Sequence, residues 1–547
     1  MMIKRFLVYS RDLRDEFSGY NAGKFSRDVI AGLTVSAVAL PLALAFGVGG
    51  GADAAAGLIT AIIAGIVIGM LSGAPYQISG PTGAMTAILV TLVSRYSLTG
   101  VFVAGLISGI ILLIAGIFRF GRVVGFLPTP VITGFTSGIA IIIALGQLDN
   151  FFGVTSEGEI AVMRVVSYFT NGFNPDMNSM VIGLSVIVLM ILWPKKWHNI
   201  MPSSLFALIV VTFISIILDV RVARVGTIPS TLLPDNRLNI MGIEWKDIGN
   251  LILPAISIAA LGMIESLLCG ASASRSKPGL AKFNPDRELV AQGIGNIILP
   301  FFGGIPATAA IARTSVAVKA GAVTRVTNII HALVLLASMF IISPVMSRIP
   351  LAALAGILMV TAFNMNEWGA IRYIFGKRFK GAAGKFLITM IATVVFDLTI
   401  AIVIGVAFSI LLFVVRISNI TVDIGEVDPE RLGLDGNTDF LKHIKVIYFT
   451  GPLFFAAIDR LEGKLHDVMD KTLVFSMRGV PLLDTSGAQH LLEIIGQVEN
   501  LGGKILFCCV QPGVKITMNR AGITETVGEN AFYPDARQAI MAQAATE

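Results

Sequence analysis

Long apolar runs separated by short polar segments fill the chain from Val29 to about Arg416. A helix needs about 20 residues to cross a membrane, and by this measure the pattern predicts about 14 transmembrane spans, of which the third and tenth are short. The predicted spans begin near Val29, Ala54, Thr82, Gly100, Val123, Met180, Ser203, Leu251, Leu289, Thr308, Val326, Leu351, Lys385 and Leu398. The fold class predicted for this region is a polytopic α-helical membrane protein.

Two stretches rich in glycine, proline and threonine interrupt this pattern at corresponding places in the two halves of the apolar region. The first reads Ser-Gly-Pro-Thr-Gly-Ala over residues 79–84, and the second reads Gly-Gly-Ile-Pro-Ala-Thr-Ala over residues 303–309. A break inside a membrane helix leaves backbone N–H groups free and exposes the positive end of a helix dipole. Matched interruptions of this kind indicate the substrate site of a transporter. The alternative is a pair of proline kinks used only for packing.

The residue types at the interruptions suit a small anion. Pro81 and Pro306 fit the first turn of a helix, and Thr82 and Thr308 can cap a helix or contact a ligand. Two helix N-termini that point at each other favour negative charge between them, because both dipoles and the free N–H groups face it. The predicted binding residues of the interruptions are Pro81, Thr82, Gly83, Ala84, Ala307, Thr308 and Ala309.

Two charged residues lie inside predicted spans of the second half. Arg313 follows Thr308 by five residues, and Glu265 lies in the apolar run of residues 261–268. A charged group at membrane depth is costly and normally faces an interior cavity or a partner. We predict that Arg313 supplies positive charge beside the anion, and that Glu265 carries a proton that couples transport to a proton gradient. The alternative for both is a permanent Glu265–Arg313 ion pair.

Composition supports a membrane protein. Of the 547 residues, 55% are hydrophobic and 14% are charged, whereas about 25% of residues are charged in soluble proteins. The net charge of +6 lies mostly in short loops, where it sets orientation, so nucleic acid is not a predicted partner. Basic loops alternate along the chain, which predicts an even number of spans and cytoplasmic N- and C-termini. An odd number of spans per half gives the halves opposite orientations, as in an inverted repeat.

The chain changes character after about Arg416, where charged residues become frequent and apolar runs shorten. The alternation of short strands and helices predicts a small α/β domain with a mostly parallel sheet. Strand candidates cover residues 446–449, 473–475 and 504–508, and helix candidates cover residues 455–469 and 487–500.

No chemistry of an enzyme is visible. The chain has three cysteines, of which Cys508 and Cys509 are adjacent, which indicates a reducing compartment and no disulfide framework. The tail has no Cys/His cluster with metal spacing and no nucleophile–base pattern, and the chain has no phosphate-binding loop of the P-loop type. We therefore predict no metal, no cofactor and no enzymatic activity.

Four motifs point to a known family. Residues 28–34 read Asp-Val-Ile-Ala-Gly-Leu-Thr and lead to Ala-Leu-Pro at 39–41. The others are Ser-Gly-Pro-Thr at 79–82, Asn-Pro-Asp-Arg-Glu-Leu-Val-Ala-Gln-Gly at 284–293, and, most specific, Gly-Gly-Ile-Pro-Ala-Thr-Ala-Ala-Ile-Ala-Arg-Thr at 303–314. With these motifs the chain resembles the sulfate permease (SulP) family, bacterial relatives of the animal solute carrier 26-type anion transporters.

The tail resembles a STAS domain, with Leu-Asp-Thr-Ser-Gly at residues 483–487 marking the turn from strand to helix. Ser486 matches the serine that is phosphorylated in the related anti-sigma factor antagonists, and a phosphate would add nearly two negative charges. The alternative is that Ser486 only caps a helix that begins at Gly487. The resemblance implies a structural and regulatory domain, and a cytoplasmic regulatory protein is one partner that it allows.

The family resemblance also implies an architecture. It consists of a 7+7 inverted repeat, like that of uracil transporters, with a core domain of spans 1–4 and 8–11 and a gate domain of spans 5–7 and 12–14. Spans 3 and 10 would be half-helices that hold the anion between their N-termini. Members are usually homodimers in the lipid bilayer. The implied domains are a cytoplasmic segment 1–28, a transmembrane domain 29–416 and a STAS domain 417–547.

The predicted function is secondary active transport of a small anion, with sulfate favoured, across the plasma (inner) membrane by an elevator-like motion. A proton is the predicted co-substrate. In sodium-coupled bicarbonate members the positions of Glu265 and Cys269 hold Asp and Thr, and the arginine matching Arg313 is missing; Glu and Cys form a poor site for a hard cation. The alternatives are a bicarbonate or fumarate-like dicarboxylate transporter, an anion exchanger, an anion channel, and a membrane-tethered signalling platform.

Overall fold

The structure is a computed structural model of the chain. It describes all residues except 1, 122–127, 158–160, 171, 195, 198–200, 227, 229–230, 240–247, 277–282, 397, 419, 433–438, 455–464 and 545–547. The chain divides into two compact units, Met1–Val406 and Ala407–Glu547. The predicted start of the fifth span near Val123, and most of the helix predicted over residues 455–469, lie outside the described residues.

In its described residues, the first unit contains helices and one two-stranded ribbon, formed by β1 (Ser79–Gly80) and β2 (Thr308–Ala309). Its helices are α1 (Met2–Glu16), α2 (Ala22–Gly49), α3 (Ala54–Leu71), α4 (Gly83–Ile117), α5 (Thr129–Gly146), α6 (Leu148–Phe152), α7 (Ala161–Thr170), α8 (Met177–Leu192), α9 (Ser203–Ile217), α10 (Ile248–Ser276), α11 (Pro285–Ile298), α12 (Ile311–Lys319), α13 (Val326–Ile341), α14 (Ser343–Met346), α15 (Leu351–Met365), α16 (Trp368–Gly376), α17 (Lys380–Val395) and α18 (Leu398–Ile417), the last of which continues into the second unit. A 3₁₀ helix, Leu299–Phe302, follows α11.

Polar caps begin several of these helices. The side chains of Asn21, Asp53, Asp176 and Asn284 accept hydrogen bonds from backbone N–H groups in the first turns of α2, α3, α8 and α11, as preferred N-cap residues do. By length and composition, five helices within the described part of the chain can cross a membrane: Ala22–Gly49, Ala54–Leu71, Gly83–Ile117, Thr129–Phe152 and Ile248–Ser274.

Several helices begin where the apolar pattern predicts a span. Helices α3, α9, α13, α15 and α18 begin at the predicted residue. The predicted third and fourth spans form one element, α4, whose helical backbone is interrupted at Ser97 (φ 59°, ψ −175°) and not at Gly100. The predicted tenth span is short, as expected: α12 has nine residues and begins at Ile311, three residues later than predicted.

The second unit contains a five-stranded sheet of order β3-β4-β5-β6-β7. Strand β3 pairs antiparallel with β4, and β4 to β7 are parallel, which confirms the mostly parallel sheet. The strands are β3 (Thr421–Glu426), β4 (Ile444–Thr450), β5 (Thr472–Gly479), β6 (Lys504–Cys508) and β7 (Phe532–Tyr533), and the helices are α19 (Pro429–Leu432), α20 (Thr485–Asn500), α21 (Pro512–Arg520), α22 (Ile523–Val527) and α23 (Ala536–Ala544). The sequence pattern missed β3 and β7.

Candidate anion site

The two interruptions of the apolar pattern pair directly with each other. Strand β1 (Ser79–Gly80) and strand β2 (Thr308–Ala309) form an antiparallel ribbon in which Ser79 lies opposite Ala309 and Gly80 lies opposite Thr308. The N–H group of Ala310 also donates to the Ile78 carbonyl at 2.9 Å. Helix α4 begins three residues after β1 ends, and α12 begins two residues after β2 ends. Because the two strands are antiparallel, α4 and α12 begin at opposite ends of the ribbon. The ribbon has only two residues per strand, so the two helix N-termini lie near each other.

The structure corrects the predicted helix starts. Thr82 is the N-cap of α4, but its side chain makes no capping hydrogen bond. Ala310 is the N-cap of α12, and Thr308 lies in β2. The predictions that Pro81 and Pro306 occupy first turns, and that Thr308 caps a helix, are therefore wrong. The reason is that both segments stay extended in order to pair, which delays each helix until the ribbon has ended.

The predicted binding residues are buried in the first unit. Thr308 is fully buried, Ala307 and Ala309 are each 1% exposed, and Thr82 is 7% exposed. Gly83 opens α4 in close contact with Ile143, whose Cδ1 would have to shift if a Cβ were added, because the two atoms would lie 2.5 Å apart. Ala84 follows Gly83 in the same buried first turn, and Pro81 is buried beside the ribbon.

Arg313 lies in the first turn of α12 and reaches across to the other interruption. Its Nη2 donates a hydrogen bond to the Pro81 carbonyl oxygen. The side chain is 1% exposed, and Nη1 is buried with no hydrogen-bond partner among the residues that the structure describes. Gly80 leaves room for this guanidinium, because a Cβ on Gly80 would lie 2.7 Å from Nη1. A buried cation with an unused donor therefore lies against the ribbon, as an anion site requires.

Helix α10 contacts both interruptions through neighbouring residues. Thr82 Oγ1 donates to Glu265 Oε2 at 3.0 Å. Ser266 Oγ lies 2.9 Å from Thr308 Oγ1 and accepts a hydrogen bond from the Ala309 N–H at 3.2 Å. Within the described part of the chain no salt bridge within 4 Å joins Glu265 to Arg313, so the ion pair considered as the alternative role for both residues is not formed.

The sequence analysis does not identify the residues of neighbouring helices that form hydrogen bonds with the two interruptions. These are Thr60 of α3, Ser266 of α10, and Gln292 and Asn296 of α11, whose side chains bond to residues of the interruptions. A usable signal exists in α11, where Glu288, Gln292 and Asn296 recur every fourth residue in an otherwise apolar region. Among the residues that the structure describes, no group of three or more His, Cys, Asp or Glu side chains could hold a metal ion.

Ser486 lies in the first turn of α20 and is partly buried. Helix α20 begins at Thr485, and its N-cap is Asp484, whose carboxylate accepts a hydrogen bond from the Gly487 N–H at 2.7 Å. The interpretation of Ser486 as the cap of a helix beginning at Gly487 is therefore wrong. Asp484 takes this role because its extended backbone aims the short carboxylate at the free N–H groups.

Comparisons with known proteins identify two family models and several similar proteins. A family model described as Sulfate permease family matches residues 25–392, and one described as STAS domain matches residues 437–539. The relative named "Putative sulfate transporter YvdB" from Bacillus subtilis (strain 168) is 34% identical over 537 residues, which cover 94% of this chain and 97% of that protein.

Two solved structures are also similar. The transmembrane domain of a cyanobacterium bicarbonate transporter, BicA, has a TM-score of 0.65 and 30% identity, and the match covers 69% of this chain and 97% of that chain. The murine Solute Carrier 26 family member A9 anion transporter in the inward-facing state has a TM-score of 0.82 and 19% identity, and the match covers 96% of this chain and 92% of that chain. The second likeness concerns the fold alone.

Proposed function

Because the chain belongs to the sulfate permease family and carries a STAS domain, we propose that this multi-pass membrane protein is a secondary active transporter of a small anion, with sulfate favoured. One observation carries the proposal. The buried guanidinium of Arg313 lies against the ribbon from which two helices begin, and its Nη1 has no hydrogen-bond partner in the described part of the chain. A helix N-terminus and a desolvated arginine both favour negative charge, so the place suits an anion.

Three kinds of group would contact the anion in the proposed site: backbone N–H groups, hydroxyl groups and a guanidinium group. The first turns of α4 and α12, with Gly83 and Ala84 in the first, would offer N–H groups to the anion. Thr308 would add a hydroxyl group, and Thr82 would donate its hydroxyl hydrogen to the anion when a protonated Glu265 donates to Thr82 instead of accepting from it. Pro81, Ala307 and Ala309 keep the backbone extended. Arg313 would neutralise charge. Oxygen atoms of a tetrahedral oxyanion accept hydrogen bonds from all of these donors, which is why sulfate is the favoured substrate.

Glu265 is the proposed proton carrier. It is the carboxylate that receives a hydrogen bond from Thr82, and so it is linked to a residue of the proposed anion site. Protonation would remove its negative charge from the neighbourhood of the anion, which would favour anion binding. Binding of the anion and binding of the proton would then assist each other, which is the requirement for symport.

The proposed transport cycle uses the architecture expected for the family. We propose 14 spans in a 7+7 inverted repeat, with spans 1–4 and 8–11 as a core that moves like an elevator against a gate of spans 5–7 and 12–14. The antiparallel pairing of the two interruptions supports this, since an inverted repeat relates two such segments in opposite directions. Residues 1–28, 29–416 and 417–547 are the proposed cytoplasmic segment, transmembrane domain and STAS domain.

The proposed setting is a homodimer in the plasma (inner) membrane with both termini in the cytoplasm. The STAS domain would act as a regulatory module, with Ser486 as a candidate phosphorylation site and a cytoplasmic protein as its partner. Ser486 is partly accessible, and the N-terminus of α20, where it lies, suits a phosphate group.

Bicarbonate transport is the second candidate, because the transmembrane domain of BicA is 30% identical over the matched part. The residues near the site argue against a sodium-driven form of it. Cys269 donates its thiol hydrogen to Thr314 Oγ1 at 3.2 Å, and a thiol is a poor ligand for a hard cation that prefers oxygen.

The experiment that tests the proposal is uptake into proteoliposomes. Purified full-length protein is reconstituted and offered labelled sulfate, bicarbonate, chloride and fumarate, each at fixed pH, with and without a proton gradient and with and without sodium. The proposal expects saturable sulfate uptake that depends on the proton gradient and not on sodium. Flux that does not saturate would favour a channel. Failure to move any of these anions would contradict the proposal.

A further inference from the structure

We propose that Glu288, Gln292 and Asn296 of α11 are positioning residues, which fix both interruptions against one rigid helix and so set the spacing of the anion site. This inference rests on the proposed function for its effect on transport. The three residues are four positions apart, so they lie along one face of the helix. All three are at most 1% exposed.

Asn296 holds the second interruption by pairing with a single residue of it. Its Nδ2 donates to the Ala307 carbonyl at 2.9 Å, and its Oδ1 accepts from the Ala307 N–H at 2.8 Å. The side-chain amide thus bonds both backbone groups of Ala307, in the way that a neighbouring strand would. Ala307 directly precedes Thr308, the first residue of β2. The position of β2 is therefore determined by α11 from the residue before it.

Gln292 and Glu288 hold the first interruption. Gln292 Nε2 donates to Ser79 Oγ in β1 at 2.9 Å and to Glu288 Oε1 at 2.9 Å. Gln77 Nε2, from the segment that leads into β1, donates to the same Glu288 oxygen at 3.1 Å. A buried carboxylate accepts strong, charge-assisted hydrogen bonds. Glu288 therefore anchors the chain just before β1.

The other oxygen of Glu288 anchors the end of α3. It accepts hydrogen bonds from Ser72 Oγ at 2.6 Å and from the Gly73 N–H at 3.0 Å. Gly73 is required there, because an added Cβ would lie 2.0 Å from the Asn284 carbonyl oxygen. The four donors leave Glu288 satisfied, as a buried carboxylate must be.

The contacts of Asn296 with the second interruption and those of Gln292 and Glu288 with the first are joined through α11 itself. Asn296 Nδ2 also donates to the Gln292 carbonyl at 2.9 Å. From Glu288 to Asn296 the helix rises about 12 Å, at about 1.5 Å per residue. Over this length α11 makes the hydrogen bonds to both interruptions. None of the three residues is among those proposed to touch the anion. Their effect on affinity would come from where they place Pro81, Thr308 and the first turns of α4 and α12.

The test compares Asn296→Ala with a matched control in the full-length protein. Asn296→Ala removes the three bonds to Ala307 and Gln292. Thr393→Val is the control, because Thr393 is equally buried and its hydroxyl donates within its own helix, to the Thr389 carbonyl at 2.7 Å. Asn296→Asp is a second variant, which keeps an acceptor for the Ala307 N–H but sets a buried carboxylate oxygen against the Ala307 and Gln292 carbonyl oxygens.

Two readouts separate positioning from mere folding. Hydrogen exchange of peptides covering residues 303–310 reports the backbone directly, and KM and maximal rate for labelled sulfate report the site. We expect faster exchange in this segment and a KM raised at least tenfold in Asn296→Ala, with a smaller change in maximal rate. Asn296→Asp should shift both readouts in the same direction as Asn296→Ala, because its carboxylate is repelled by the Ala307 carbonyl. Thr393→Val should match the unmodified protein in both readouts.

The inference is overturned if exchange over residues 303–310 is the same in Asn296→Ala and in Thr393→Val, whatever transport does. It is also overturned if exchange rises and KM stays unchanged, because the pairing of Asn296 with Ala307 would then not determine the affinity of the anion site. If the unmodified protein takes up none of the anions, the proposed function has failed, and the exchange result alone decides whether α11 positions the ribbon.

Discussion

The guanidinium group of Arg313 donates a hydrogen bond to the backbone carbonyl of Pro81, a residue 232 positions earlier in the chain. This contact joins the two interruptions of the apolar pattern through a side chain, in addition to the backbone pairing of β1 with β2. Arg313 therefore belongs to both halves of the proposed site. Its remaining buried donor, Nη1, is the group most directly available to an anion.

The space beside Arg313 depends on Gly80. We predict that Gly80→Ala raises the KM for sulfate about tenfold, which corresponds to ~1.4 kcal/mol of binding free energy. The added methyl group would lie 2.7 Å from Arg313 Nη1, and the arginine would have to move away from the ribbon. Gly381→Ala in α17 is the control, because nothing lies within 4 Å of its Cβ position. Equal KM values for the two variants would contradict the assignment.

Glu265 should determine the pH response of transport. Glu265→Gln keeps the size of the side chain and a hydrogen-bond acceptor for Thr82, but it cannot bind and release a proton. We predict that sulfate uptake by this variant no longer accelerates when an inward proton gradient is imposed, and that exchange of sulfate across the membrane persists. Uptake measured between about pH 5.5 and 8 checks this. An unchanged pH profile would remove Glu265 from the coupling mechanism.

Asp484 should matter more than Ser486 for the stability of the STAS domain. Loss of an N-cap side chain costs about 1 kcal/mol, so Asp484→Ala should lower the free energy of unfolding of this domain by about that amount. Ser486→Ala should change it by less, since Ser486 is not the cap. Pulse proteolysis of the full-length protein across a urea series measures both. A larger loss for Ser486→Ala than for Asp484→Ala would contradict the capping assignment.

Cys508, one of the two adjacent cysteines of the STAS domain, should react more slowly than an exposed thiol. Burial, with the neighbouring Cys509, raises the pKa of the Cys508 thiol to about 12. The thiolate is the reactive form, and a raised pKa makes it scarce at pH 8. Alkylation of Cys508 should therefore be at least about tenfold slower in the folded than in the urea-unfolded protein. Iodoacetamide labelling followed by peptide mass spectrometry measures this. Equal rates in folded and urea-unfolded protein would contradict it.

The sequence predicted the parts of the fold that follow from local pattern. Apolar runs of membrane length located the starts of α3, α9, α13, α15 and α18, because burial in lipid and burial in protein both require the same long runs. The strand over residues 504–508 was predicted at both ends. Strand β7 was missed because its two residues, Phe532 and Tyr533, are too short for a period to be visible.

For the proposed site, the sequence indicates the residue types at the two interruptions but not their backbone conformation. Proline, glycine and threonine marked both interruptions, but each was read as the beginning of a helix. The ribbon depends on pairing between residues more than 200 positions apart, and local propensity carries no information about such a partner. Asn296 is marked in the sequence only as one of three polar residues spaced four apart in α11, and its partner Ala307 becomes visible only in the structure.

The most direct test of the account is the effect of Arg313→Ala on sulfate uptake by reconstituted protein. Removing the guanidinium deletes the buried positive charge and the link to Pro81, while Gly381→Ala controls for reconstitution and orientation. We predict that the apparent affinity falls at least tenfold or that uptake is lost, with the folded fraction judged by size-exclusion chromatography and thermal unfolding. Sulfate transport by Arg313→Ala with unchanged affinity and rate would contradict it.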